Sequence, residues 1–209
     1  MTLGTEDFAR MDRRMRATFF NSLAGIRPAV LVGTRGEGGV NNLAVFNSIL
    51  HIGADPPRNA LLFRPETVER HTLDNLRQTC SYSINFVRTE DYRKAHQTSA
   101  KYPADVSEFE AVGFTPVFDD GFSAPSVHQA PIRMQMSYEY ETEIPLNGTL
   151  LVVGRIEKVF LSGDWSGEDG YVNHQAAGTL ACAGLDAYFR VEGLGRLPYA
   201  RPDQAPNVL

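Results

Sequence analysis

The run from Ile132 to Glu141 alternates without a break: Ile132, Met134, Met136, Tyr138 and Tyr140 interleave with Arg133, Gln135, Ser137, Glu139 and Glu141. Successive side chains of an extended chain point to opposite faces, so a period of two predicts a half-solvated antiparallel strand. Pro145-Leu146-Asn147-Gly148 follows with Asn-Gly turn chemistry, and Thr149 to Leu161 supplies the returning strand. A long hairpin is therefore expected near the end of the chain, and the rest of the fold has to accommodate it.

Other segments repeat the theme. Ala29-Val30-Leu31-Val32-Gly33 reads as a buried strand, Thr34 to Gly39 as a glycine-rich turn, and Val40 to Ile52 as one extended run closing a second hairpin. Leu61-Leu62-Phe63 is a short strand. Ser81 to Val87 alternates, with Tyr82, Ile84 and Phe86 on a buried face and Ser81, Ser83 and Asn85 on the other.

Helical signals frame these strands. Phe8, Met11, Met15, Phe19 and Leu23 recur at three- and four-residue steps and predict one amphipathic opening helix, stopped by Gly25 and Pro28. Thr72 is the expected N-cap of a helix carrying Leu73 and Leu76, with strand and helix meeting between Arg64 and His71. Thr89 can cap a helix reaching about Ala100, and Ser107 with Glu110 has the spacing of a capping box. Hairpins at both ends with helices between describe an α+β domain or a barrel and disfavour a doubly wound parallel sheet. At 209 residues, 43% of them hydrophobic, one domain spanning 1–209 is the economical arrangement.

A formal charge of −5 leaves no Lys/Arg excess for a phosphate backbone, so nucleic acid is not an expected partner. No stretch approaches the roughly 18 apolar residues needed to span a bilayer, and Thr5-Glu6-Asp7 is acidic where a signal peptide is basic. A soluble cytoplasmic protein is expected. Cys80 and Cys182 read as two buried free thiols, and the histidines at 51, 71, 96, 128 and 174 are too dispersed for a metal motif.

The glycine-rich turn lacks both the GK[ST] ending of a P-loop and the GxGxxG order of a dinucleotide fingerprint. No GxSxG elbow or Ser-His-Asp spacing is present, and no catalytic side chain is assigned. Asn41-Asn42-Leu43-Ala44-Val45-Phe46-Asn47-Ser48 is more informative, because amides in a buried strand must be satisfied, either by backbone or by a ligand. Arg70-His71-Thr72 precedes a helix, where the dipole and exposed N–H groups suit an anion, although an ordinary N-cap explains Thr72 equally well. Lys101 could reach the same anion or stay solvated.

Taken in order, these pieces resemble the flavin reductase-like family: Arg27-Pro28 into Leu31-Val32-Gly33-Thr34, the Asn42–Ser48 strand, Arg70-His71-Thr72-Leu73-Asp74-Asn75-Leu76, and Ile84-Asn85-Phe86-Val87. Ser107-Glu108-Phe109-Glu110, Gly113-Phe114-Thr115-Pro116, Ala130-Pro131-Ile132 and Leu151-Val152-Val153-Gly154 continue it. The resemblance implies a mainly β, antiparallel Greek-key FMN-binding split β-barrel with peripheral helices, assembled as a homodimer. It places non-covalent FMN against Thr34, Asn42, Leu43, Ala44, Phe46, Asn47 and Ser48, with the phosphate on Arg70, His71 and Thr72 and with Arg64 and Lys101 as further contacts. Tyr188 would lie over the flavin or at the dimer contact. The chain has Val45-Phe46-Asn47 where many members have Pro-Phe-Ser, so its ribityl contacts are its own. The implied activity passes electrons from NAD(P)H through FMN to a monooxygenase or other acceptor; the alternative is a flavoredoxin-like electron carrier without NAD(P)H oxidation.

Overall fold

The opening helix is interrupted where the sequence offers a new cap. In the computed structural model, which describes residues 1–65 and 70–205, α1 (Thr5–Arg10) ends at Met11 and α2 (Arg13–Leu23) restarts from Asp12. Asp12 Oδ1 accepts the N–H groups of Arg14 and Met15, both at 2.9 Å, and this local competitor for the backbone breaks the single helix that periodicity predicted. Neither helix buries a residue, so the apolar face of α2 looks outward.

Beyond Gly25, which takes a positive φ of 83°, come β1 (Ile26–Pro28), β2 (Val30–Arg35), β3 (Asn41–Phe46), β4 (Ile49–Ala54) and β5 (Pro57–Phe63). Then follow α3 (His71–Thr79), β6 (Ser81–Phe86), a 3₁₀ turn at Thr89–Asp91, α4 (Tyr92–Gln97) and α5 (Glu108–Val112). Last come β7 (Pro116–Val117), β8 (Ser126–Val127), β9 (Ile132–Ile144), β10 (Thr149–Leu161), β11 (Leu180–Ala183) and β12 (Ala187–Arg190). The β9–β10 hairpin forms as its turn requires: Gly148 has φ 70°, and Asn147 Oδ1 accepts the Thr149 N–H at 3.1 Å.

The expected extended run from Val40 to Ile52 is instead two strands, and their placement defines the architecture. The antiparallel seven-stranded sheet has the order β3-β2-β6-β9-β10-β5-β4, so β3 and β4 are its opposite edges. Six steps of about 4.8 Å would separate those edges by about 29 Å in a flat sheet. Only Asn47 and Ser48 join them, and two residues reach about 7 Å. The sheet must therefore roll up until its edges meet, which makes it a split barrel. A three-stranded sheet, β1-β11-β12, lies beside that junction.

Strand alternation feeds two cores. Val30 and Val32 face the barrel interior with Phe63, Leu73, Leu76, Tyr82, Ile84, Met134 and Met136. Leu31 and Ala29 face the other way, against Leu43, Val87, Ala95, Phe109, Phe114 and Val127. This second layer explains a departure from expectation: Ser83 and Asn85 are buried rather than solvated. Ser83 Oγ donates to Pro125 O at 2.6 Å, Asn85 Nδ2 to Leu31 O at 3.0 Å, and Asn85 Oδ1 accepts from Val127 N at 2.9 Å. For the same reason the first five residues of β9 are buried on both faces, and only its far half emerges.

Two cap assignments also change. Thr89 Oγ1 donates to Gly178 O, and α4 starts three residues later; Ser107 does precede α5, but its hydroxyl is buried without a partner and forms no capping box. Cys182 is buried as expected, whereas Cys80 is exposed, because it closes α3 in the left-handed conformation at φ 53°.

Candidate functional site

Thr34 and Asn42 are direct partners in the β2–β3 register, and α3 packs its first turn against them. Asn42 Nδ2 donates to Thr72 Oγ1 at 2.8 Å and to Thr34 Oγ1 at 3.1 Å; Asn75 Nδ2 adds a third bond to Thr34 Oγ1 at 3.2 Å. Thr34, Asn42 and Thr72 are all buried. A hydroxyl that accepts still owns its proton, so both threonines retain an O–H to give to a further acceptor.

Thr72 is the second residue of α3 rather than its cap, since Arg70 occupies that place. The Leu73 and Asp74 N–H groups turn back to Arg70 O, while the Thr72 N–H lies in the turn that has no intrahelical acceptor. Arg70 reaches Pro65 O through one terminal nitrogen at 3.4 Å, and its Nε is buried without a partner. His71 is half-buried at the same helix start. The Arg70 Nε and the two threonine hydroxyls thus converge at the α3 N-terminus with donor capacity to spare, and an oxyanion is the chemistry that would use it.

Leu43 is fixed through its backbone. Its N–H, on the open edge of β3, donates to Glu108 Oε2 at 2.9 Å. Burial pushes the Glu108 carboxyl above the usual range, and the Leu43 N–H, the carboxylate's own backbone N–H and the nearby His71 partly offset that. The Leu43 N–H is therefore spent on Glu108 and is not a donor left over for a ligand on this edge. Ala44 is half-buried, and Phe46 turns inward onto Phe63, ring centroids 5.0 Å apart.

At the far end of β3 the site residues join the small sheet. Asn47 Nδ2 donates to Gly184 O at 2.6 Å, Ser48 Oγ to Asn47 Oδ1 at 3.3 Å, and Arg27 to Ser48 Oγ at 3.2 Å. Arg27 Nε is buried without a partner, and burial pushes the adjoining Cys182 thiol up. Tyr188, on β12, bonds His96 Nδ1 at 3.0 Å, with its phenol pushed up to about 12 by burial. Arg64 and Lys101 are both exposed, and among the described residues no hydrogen bond ties either to the threonine cluster.

The structure thus brings Thr34, Asn42 and Thr72 into one network beside Arg70 and His71, and sets Asn47 and Ser48 about 17 Å away along β3. An elongated ligand with an anionic end is what the two stations together would suit. Sequence reasoning did not assign roles to Asn75, Glu108 or Arg27. Asn75 was within reach, because it follows Thr72 by three residues and shares its helix face. Glu108 was not, because its partner is 65 residues away.

Residues 25–179 match the model of the flavin reductase like domain. A split barrel domain protein of Shewanella frigidimarina NCIMB 400, assigned as a flavin reductase, is 40% identical, with a TM-score of 0.92 over 96% of this chain and 100% of its own. Nitrilotriacetate monooxygenase component B from Bacillus cereus superposes with a TM-score of 0.81 at 18% identity, over 94% of this chain and 98% of its own. An FMN-binding protein from Thermus thermophilus does so at 0.67 and 18%, over 81% and 88%. The last two likenesses speak for the fold alone.

Proposed function

Because the chain belongs to the flavin reductase like domain family, we propose that it binds FMN non-covalently along β3 and passes electrons from NAD(P)H through it to an acceptor. The observation that carries this reading is the convergence of unspent donors at the start of α3: the two threonine hydroxyls and the buried, unpartnered Arg70 Nε. In this reading Arg70, His71 and Thr72 hold the phosphate. Thr34 and Asn42 set the hydroxyl orientations, and Glu108 holds the edge of β3 in place through Leu43. Asn47 and Ser48 line the other station, braced by Arg27 and Gly184.

Bound FMN supplies the redox centre, so the chain's own contribution is position and an environment of fixed donors rather than an acid or base. The fold shared with a monooxygenase component supports a partner enzyme as acceptor. Assembly as a homodimer, a single domain and a cytoplasmic setting belong to the same proposal; no helix among the described residues is long and apolar enough to cross a membrane.

The test is the visible spectrum of the purified protein with and without added FMN, followed by anaerobic addition of NADH or NADPH. Binding with rapid bleaching of the flavin band is the expected result. Binding without bleaching by either nucleotide would assign an electron carrier instead, and no binding would remove the cofactor.

A further inference from the structure

A cleft of about 410 Å³ lies apart from the threonine cluster. Met134 and Met136 point into the barrel, so Arg133 between them and Ile132 points to the outer face, where it lines this cleft with Phe160, its register partner on β10. Through Asn85, Arg133 on β9 aligns with Leu31 on β2; it therefore lies two strands across from β2 and level with a position three residues along that strand from Thr34. Each of those offsets amounts to about 10 Å, on the opposite face of the sheet.

Charge accounting in the cleft leaves one group unmatched. Arg88 sits 4.0 Å from Glu90 and donates through Nε to Gln129 O at 3.1 Å, and Asp91 lies 3.9 Å from Lys94. Arg133 is only 9% exposed, its guanidinium carbon lies 3.7 Å from the Phe160 ring centroid, and its Nε has no hydrogen-bond partner. Asp119, whose charge acts on Arg133, is itself taken by Lys158 at 2.9 Å and Gln135 at 3.4 Å. A buried guanidinium with an unspent donor is costly unless a partner arrives.

We propose that this cleft binds a small organic monoanion through a carboxylate on Arg133. A guanidinium stacked on a ring keeps its N–H groups in plane, and a carboxylate approaching end-on from the cleft takes the two terminal nitrogens together. Phe160 offers an apolar wall for the body of the ligand, and the volume is that of a small-molecule site rather than of an inorganic ion. Glu90 and Asp91 line the same cleft, so a second negative charge on the ligand would meet carboxylates; this favours a carboxylate over a phosphate dianion. The proposal concerns a different face from the flavin site and does not depend on it.

Isothermal titration of the purified protein with sodium benzoate, against sodium phosphate at matched ionic strength, tests it. One benzoate per chain is expected, with phosphate at least tenfold weaker. Arg133→Met should weaken benzoate at least tenfold and Arg133→Lys by less, while Thr72→Ala binds as the parent does. Should Arg133→Met not fold, the Arg133→Lys loss and a benzoate-dependent shift of the Arg133 Nε–H resonance carry the same test. Absence of benzoate binding, phosphate binding as tight, retained affinity in both Arg133 variants, or loss in Thr72→Ala alone would each overturn it.

Discussion

Asn42 turns its amide nitrogen to two threonines at once, and that orientation decides what each hydroxyl has left to give. If FMN phosphate sits on the α3 N-terminus, Arg70→Ala combined with Thr72→Ala removes two charge-assisted donors at about 1.5–3 kcal/mol each. FMN affinity, followed by fluorescence quenching, should then fall by several kcal/mol in a variant that still folds; an unchanged affinity would move the phosphate elsewhere. Glu108 makes a separate prediction. Its carboxyl is raised in the folded state, chiefly by burial, so between the unfolded and folded values the native state holds more proton than the unfolded one. Stability attributable to this group is therefore greatest below the ordinary carboxylate range and declines as pH rises through the raised value. Glu108→Gln keeps an oxygen for the Leu43 N–H without the charge. Urea midpoints should show the variant gaining on the parent as pH rises above the ordinary Glu value of about 4.3. A gap that is flat with pH would mean that Glu108 is not the buried charge its position implies.

Close approach between elements sets a stricter limit than any single hydrogen bond. Gly33 is directly opposite Ser83 in the β2–β6 register, and a Cβ there would run into the Pro125 carbonyl oxygen and lie 2.6 Å from Ser83 Oγ. Since Ser83 Oγ bonds that same carbonyl, the 116–131 segment docks on the sheet through the space glycine leaves. Gly33→Ala should lower stability by about 1–3 kcal/mol, the usual range for overpacking, as measured by urea unfolding with an unchanged slope. The sequence made some of these elements legible and hid others for one reason, the range of the interaction that fixes them. The β9–β10 hairpin was readable because its turn chemistry is local. The division of residues 40–52 into β3 and β4 was not, because nothing at Asn47-Ser48 says that the chain leaves one edge of a sheet and starts the opposite one. The threonine cluster was half readable: Asn42 stood out as an amide in a buried strand and Thr72 as a helix cap beside a basic pair, whereas Thr34 read as part of a turn and joined the site only by family resemblance, and the bond joining Asn42 to Thr72 spans 30 residues of sequence.

On the scale of the whole molecule, the unresolved question in the sequence is where the apolar face of the opening helices goes. Among the described residues it stays uncovered: α1 and α2 bury no residue, and Met15, Phe20 and Leu23 on α2 are 55%, 41% and 66% exposed, with Ile26 of β1 following at 61%. Phe8 and Phe19 pack edge-on against Phe20, so the three rings form one aromatic cluster on the same helices that expose Met15 and Leu23. Such an exposed apolar face marks an interaction surface, and a self-complementary contact between two copies is the commonest way to cover one. Sedimentation equilibrium should accordingly give twice the 23.1 kDa chain mass. Phe20→Glu with Leu23→Glu places two charges on that face, where like charges from two copies would be desolvated together, and should shift the equilibrium to the monomer while leaving the far-ultraviolet spectrum unchanged. A parent protein that sediments as a monomer would show that the helices cover something other than a second copy. A dimer indifferent to both charges would place the contact on another face, with the exposed edge strand β4 and its Leu50 and Ile52 the next surface to charge.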